Sequence, residues 1–149
     1  MGFVVPVEVR QCSDPQRGQG VFATSAIASG TLVWTPTLLS SWSSDEAREH
    51  LAAMPFPVAH VQLRHSFVAP TAPDRLQVNP DDDGRFTNHS SHPNIGACED
   101  PAQGSQALRD ISEGEELVCD YTVFACPDWY QALCCLLYTS DAADDTPCV

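Results

Sequence analysis

Proline and glycine break this chain so often that no long uninterrupted element is available to it. Twelve prolines and eight glycines are spread through 149 residues. Such punctuation favours short strands joined by turns and disfavours a helical bundle. The length suits one domain, and a domain of this size can bury a core without a disulfide or a metal.

Between the breaks, local patterns suggest particular elements. Residues 3–12 alternate in part, with Val7 and Val9 on one face, and read as a strand. Ser13-Asp14-Pro15 is turn chemistry, after which Gly18-Gln19-Gly20 leads into an apolar strand at Val21-Phe22-Ala23. A turn at Ala28-Ser29-Gly30 precedes a strand over 31–34. Ser43-x-x-Glu46 is a capping-box signal for a helix that Pro55 ends. Pro55 and Pro57 then suggest an irregular connection, and residues 63–68 a strand closed by Pro70 and Pro73. Asp81-Asp82-Asp83-Gly84 reads as a solvated turn, and residues 85–95 as a compact loop. Residues 107–108 and 116–119 suggest a strand pair around the turn Ser112-Glu113-Gly114. No internal repeat is present.

Charge narrows the choice of partners. Twenty acidic residues oppose seven Arg and no Lys, giving a formal charge of -13. This balance disfavours direct nucleic-acid binding and favours a cationic partner. The missing Lys excludes a P-loop lysine, a Schiff base and a lysine general base. Seven Cys with no C-x-x-C pair and no signal-peptide pattern suggest reduced thiols and an intracellular location, nuclear or cytoplasmic. No apolar run reaches the roughly 18 residues of a membrane span, so no membrane role is expected.

Three motifs carry chemistry, and they follow one another in order. They are Gly18-Gln19-Gly20-Val21-Phe22-Ala23, Arg85-Phe86-Thr87-Asn88-His89-Ser90-Ser91-His92-Pro93-Asn94, and Gly114-Glu115-Glu116-Leu117-Val118-Cys119-Asp120-Tyr121. Together they resemble the SET-domain protein lysine methyltransferases, from about Val7 to Tyr121. The resemblance implies a mainly β, α+β fold: the β-clip-like SET arrangement of small antiparallel sheets with a helical insert at about 36–75. It implies transfer of methyl groups from S-adenosylmethionine to the lysine ε-amine of a basic protein, a histone tail being one such substrate. Gly18, Gln19, Gly20, Arg85, Asn88 and His89 would hold the cofactor. Tyr121 would be catalytic, at the end of a substrate channel shared with Cys119, Phe124, Trp129 and Tyr130.

Departures from the family pattern shape further expectations. Ser91 stands where many members carry a zinc-binding Cys, and Cys126 and Cys134 lack the usual Cys-x-Cys spacing. The chain is therefore expected to be a small stand-alone SET protein without that zinc cluster, with no metal. Cys119 stands where many members have Phe or Tyr, which leaves the number of methyl groups added open. Residues 135–149 resemble the translation of a sequencing-library adapter or an acidic disordered terminus, so the SET domain is expected over 1–134. Leaving out Asp141, Asp144 and Asp145 keeps the acidic excess. A silent SET-like module that binds basic peptides is the alternative to an enzyme. A thiol-redox protein has only the cysteine count behind it.

Overall fold

The computed structural model describes residues 2–36, 39–78 and 81–138. In chain order the elements are β1 (Val7–Gln11), β2 (Gln19–Ala23), β3 (Leu32–Trp34), β4 (Ser40–Ser43), α1 (Ser44–Ala53) and α2 (Phe56–Arg64). They continue with β5 (Ser66–Phe67), β6 (Arg75–Val78), β7 (Asn88–His89), β8 (Ile95–Ala97), β9 (Ser105–Ala107), β10 (Glu116–Cys119) and α3 (Asp128–Tyr138). The mixture of small sheets and short helices is the α+β class that the sequence suggests. Two compact units result, Met1–Leu38 with Asp81–Tyr121, and Leu39–Pro80 with Thr122–Val149.

In the first unit, one sheet has the order β1-β2-β10-β7 and another the order β3-β9-β8. Val9 faces Val21 across an antiparallel pair, and Leu117 faces Val21 from the other side. β10 and β7 run parallel, beside otherwise antiparallel pairs in the described sheets. Val21, Val33, Ile95, Ile111 and Leu117 form the core, with Val7 and Val9 packed against it as their alternation suggests. Each such side chain, fully buried, contributes roughly 1.5–3 kcal/mol.

The expected pairing of 107–108 with 116–119 does not occur. β9 lies between β3 and β8, while β10 lies between β2 and β7. Adjacency in sequence suggested a hairpin, but Ile111 bridges to Ile27 and the Gly114 N–H donates to the Ala23 carbonyl. Those contacts carry the intervening chain across to β2, where Leu117 is fully buried. The 85–95 loop likewise contains β7 and the start of β8.

The acidic turn is not wholly solvated. Asp82 is 1% exposed, accepting from Trp34 Nε1 at 3.0 Å and from the Gly84 N–H at 2.7 Å. Those bonds replace the water that the carboxylate loses on burial. Asp81 and Asp83 stay exposed.

In the second unit, β4-β6-β5 form an antiparallel sheet beside three helices. The capping box is formed: Ser43 Oγ accepts from the Glu46 N–H at 3.3 Å, and Glu46 Oε2 from the Ser43 N–H at 2.7 Å. The strand expected over 63–68 is instead the end of α2 followed by β5. Pro57 does not block α2, because the first turn of a helix needs no N–H donor. Ala59 and Leu63, four apart on one helical face, are both buried. They pack with Leu51, Leu76, Val78, Leu133 and Cys134. The boundary expected between 134 and 135 falls inside α3, where Cys135 and Leu136 are exposed. Residues 139–149, with Asp141, Asp144 and Asp145, lie outside the described residues. No helix among the described residues is long and apolar enough to cross a membrane.

Asn94 ties β10 into the first unit. It is 1% exposed, accepts from the Val118 N–H at 2.8 Å and donates to the Glu116 carbonyl at 2.8 Å. Asn94→Ala strips both backbone groups of these partners, at roughly 1–3 kcal/mol for each buried group left unpaired. Urea unfolding is expected to show a loss of about 3 kcal/mol. A loss under about 1 kcal/mol would mean that β10 holds its place without the side chain.

Candidate active site

Two glycines at the start of β2 are required for different reasons. Gly18 has φ 66°, in the left-handed region that disfavours a side chain. No atom lies within 4 Å of where its Cβ would stand, so the backbone there is open to approach. Gly20 lies inside the sheet. A Cβ on it would come 2.6 Å from Glu116 Oε1 and 2.8 Å from Cys12 Sγ, so its bareness makes room for the protein's own groups.

Glu116 is the hub of this corner. Arg17 reaches it through Nη1 to Oε2 at 3.1 Å and Nη2 to Oε1 at 3.2 Å. Asn88 Nδ2 donates to Oε1 at 2.8 Å and to the Gln19 carbonyl at 3.0 Å. The Cys12 thiol donates to the same oxygen at 3.5 Å. Burial, then the Glu116 charge, pushes the Cys12 thiol up from its ordinary value.

The far end of β10 carries the second half of the site. The Tyr121 N–H donates to His89 Nδ1 at 3.0 Å, which places the proton of the neutral ring on Nε2. The two rings stand 5.4 Å apart, and Asp120 Oδ1 is 3.8 Å from the same nitrogen. The Tyr121 hydroxyl donates to the Thr87 carbonyl, and the residue is 48% exposed. Burial pushes the Cys119 thiol up to about 12, helped by the Asp120 charge, so it stays protonated at neutral pH. Neither Cys12 nor Cys119 has the lowered thiol that a redox cysteine needs.

One sheet thus brings together Gln19, Gly20, Asn88, His89 and Cys119, with Gly18 just before β2 and Tyr121 two residues past β10. Arg85 lies on the same loop as Asn88, its guanidinium 4.7 Å from the Phe86 ring centre. The other channel residues belong to the second unit. There Phe124 lies 4.9 Å from the Phe67 ring, Trp129 Nε1 donates to the Pro73 carbonyl at 2.9 Å, and the Tyr130 hydroxyl to the Ser66 carbonyl at 3.4 Å. Ser91 Oγ meets His92 Nδ1 at 3.1 Å, and no group of three or more His, Cys, Asp or Glu among the described residues could hold a metal.

Sequence reasoning missed Cys12, Arg17, Asn94 and the role of Glu116. Asn94 and Glu116 stand inside the quoted motifs, but their partners are remote in sequence. Glu115 and Glu116 belong to the chain's acidic excess, which from composition alone could draw in a basic peptide. Instead Arg109 Nη2 lies 2.6 Å from Glu115 Oε1, and Arg17 holds Glu116.

The family model for the SET domain matches residues 18–122. Curated protein sequences give no match. Among solved structures, the Neurospora SET domain protein DIM-5, a histone lysine methyltransferase, is 26% identical with a TM-score of 0.56, covering 80% of this chain and 53% of that chain. A humanized mutant of the Chaetomium thermophilum Polycomb Repressive Complex 2 bound to GSK126 is 22% identical with a TM-score of 0.58, covering 85% of this chain and 16% of that one. KRYPTONITE in complex with mCHG DNA and SAH is 19% identical with a TM-score of 0.55, covering 80% and 24%. The last two likenesses are of fold. The chain spans about half the length of DIM-5 and smaller shares of the others.

The Arg109 contact sets an acid limit on stability. A hydrogen bond from Arg109 is the largest cause that lowers Glu115 from 4.5 to about 2, with the Ser112 N–H and Asn94 adding to it. A carboxyl depressed in the fold contributes stability fully above about 4.5, and that contribution disappears as pH falls towards 2. Arg109 is half-exposed, so solvent screening keeps the effect small. Arg109→Gln is expected to flatten the loss of urea stability between pH 4.5 and 2. An unchanged slope in the variant would remove Glu115 from the acid response.

Proposed function

The chain belongs to the SET-domain family, and from that premise we propose that it is a protein lysine methyltransferase using S-adenosylmethionine. Its substrate would be a basic, lysine-bearing protein, a histone tail being one candidate. The observation that carries the reading is the union of the three motifs on β2, β7 and β10, with Tyr121 anchored where β10 ends.

The residues fit the cofactor at two points. Open space beside Gly18 lets a ligand approach the backbone. Asn88 and His89 present an amide and an imidazole from β7, across β10 from β2. When bound, S-adenosylmethionine supplies an electrophilic methyl group on a sulfonium.

What the chain must then do is present a neutral amine in line. Free lysine has a pKa of about 10.4, and its ammonium form has no lone pair with which to attack. Water exclusion and a nearby positive charge both lower that value. The rest is alignment, which contributes more here than proton transfer does. Tyr121 suits that task because its backbone N–H and its hydroxyl are both tied, to His89 and Thr87. Asp81, Asp83 and Glu113, which stand just before the second and third motifs, are exposed carboxylates able to attract a cationic substrate.

Radiolabelled methyl transfer onto core histones and onto a mixed protein extract tests the assignment. Label is expected on substrate bands and not on lysine of the enzyme, which has none. Tyr121→Phe is expected to lower transfer about a hundredfold, the scale of a misaligned reacting pair. Calorimetry should find cofactor affinity little changed in that variant. Cofactor binding with no transfer to either substrate set would favour a silent peptide-binding module. No binding and no transfer would sink the assignment.

A further inference from the structure

We infer that Glu116 is a positioning residue for the cofactor, acting through Asn88. The inference rests on the proposed use of S-adenosylmethionine. Asn88 has one side-chain NH2 group, which donates to Glu116 Oε1 at 2.8 Å and to the Gln19 carbonyl at 3.0 Å, with Cys12 Sγ a longer contact at 3.5 Å. Turning the amide over would set Asn88 Oδ1 against a carboxylate and a carbonyl, with no hydrogen between them. Glu116 therefore fixes which end of the amide is which. The oxygen end is left to accept from a ligand donor, such as an ammonium or an exocyclic amine.

Glu116 is itself fixed from three sides. Arg17 grips both carboxylate oxygens, Cys12 donates to Oε1, and Gly20 has no Cβ to push the group away. The carboxylate side chain is only 15% exposed, so its bond to Asn88 is shielded from water. A charged acceptor also makes that bond stronger than an amide–amide contact. One residue of β10 thus joins the glycine turn and the Asn88 strand, both of which the family motif assigns to the cofactor.

A double-mutant cycle on cofactor affinity tests this, with S-adenosylmethionine as the titrant in calorimetry. Glu116→Ala is expected to weaken binding about tenfold, the size of one lost charge-assisted hydrogen bond. In an Asn88→Ala background the same change should cost almost nothing. Additive losses would overturn the inference, because Glu116 would then act by another route. Glu116→Gln keeps an acceptor and should recover most of the affinity.

A second readout needs no cofactor. The side-chain amide resonances of Asn88 in nitrogen–proton NMR spectra should be sharp and well separated in the ligand-free protein. They should shift and broaden in Glu116→Ala but not in Glu116→Gln. Unchanged resonances in Glu116→Ala would overturn the inference even if affinity fell. Should that variant fail to fold, Asn88→Asp sets carboxylate against carboxylate. It should lose affinity about tenfold and regain it when Glu116→Gln is added. No regain would count against the inference. A wild-type protein that takes up no S-adenosylmethionine would remove the proposed function and the cofactor role of Glu116 together, while the amide spectra would still report whether Glu116 holds Asn88.

Discussion

The first unit depends on β10 lying between β2 and β7. That strand is short, and its neighbours come from the two separate chain segments of the unit: β2 runs antiparallel beside it and β7 parallel. A strand of four residues has few ladder bonds, so side chains must supply what the ladder does not. Asn94 does so by acting as a substitute backbone, accepting from Val118 and donating to the Glu116 carbonyl. Leu117 adds the apolar anchor on the core face. With β10 held, Glu116 at its start and Tyr121 just past its end are placed without adjustable joints of their own.

This arrangement changes what the acidic composition means. An excess of carboxylates looks like a solvated, steering surface, and several groups are that. Yet Asp82 is buried against Trp34, Glu116 is shared by Arg17, Asn88 and Cys12, and Glu115 is gripped by Arg109. Their charge is largely spent inside the fold. Exposed carboxylates such as Asp81, Asp83 and Glu113 carry any long-range attraction, which weakens as salt shortens the Debye length from about 10 Å at 0.1 M.

Much of the local structure was legible because its causes are local. The capping box at Ser43 and Glu46 formed as its spacing requires, and β1 faces the core through Val7 and Val9. The failures share a different cause. Residues 63–68 looked like a strand from their apolar run, but Leu63 is paired with Ala59 on a helical face and Pro57 sits where a helix tolerates it. The β9–β10 hairpin looked natural from adjacency, but each strand found partners far away in sequence. Asp82 looked solvated because its partner Trp34 is 48 residues distant. The site followed the same rule. Gly18, Asn88 and Tyr121 are visible as an ordered motif, whereas the work of Glu116 and Asn94 exists only once the strands pair.

Residues 87–89 tie together the two sides of the proposed site. Asn88 is bound to Glu116 and Gln19 on the side proposed for the cofactor. Its neighbours Thr87 and His89 hold the hydroxyl and the backbone N–H of Tyr121, on the side proposed for transfer. A shift of this loop would therefore move both sides together. Relative displacement between them is what in-line transfer tolerates least, since the reacting atoms must meet at about 3–3.5 Å. The same site offers little acid–base chemistry: it has no lysine, Cys119 stays protonated, and His89 Nδ1 is engaged as an acceptor. The proposed methyl transfer, a reaction limited by alignment, suits such a site.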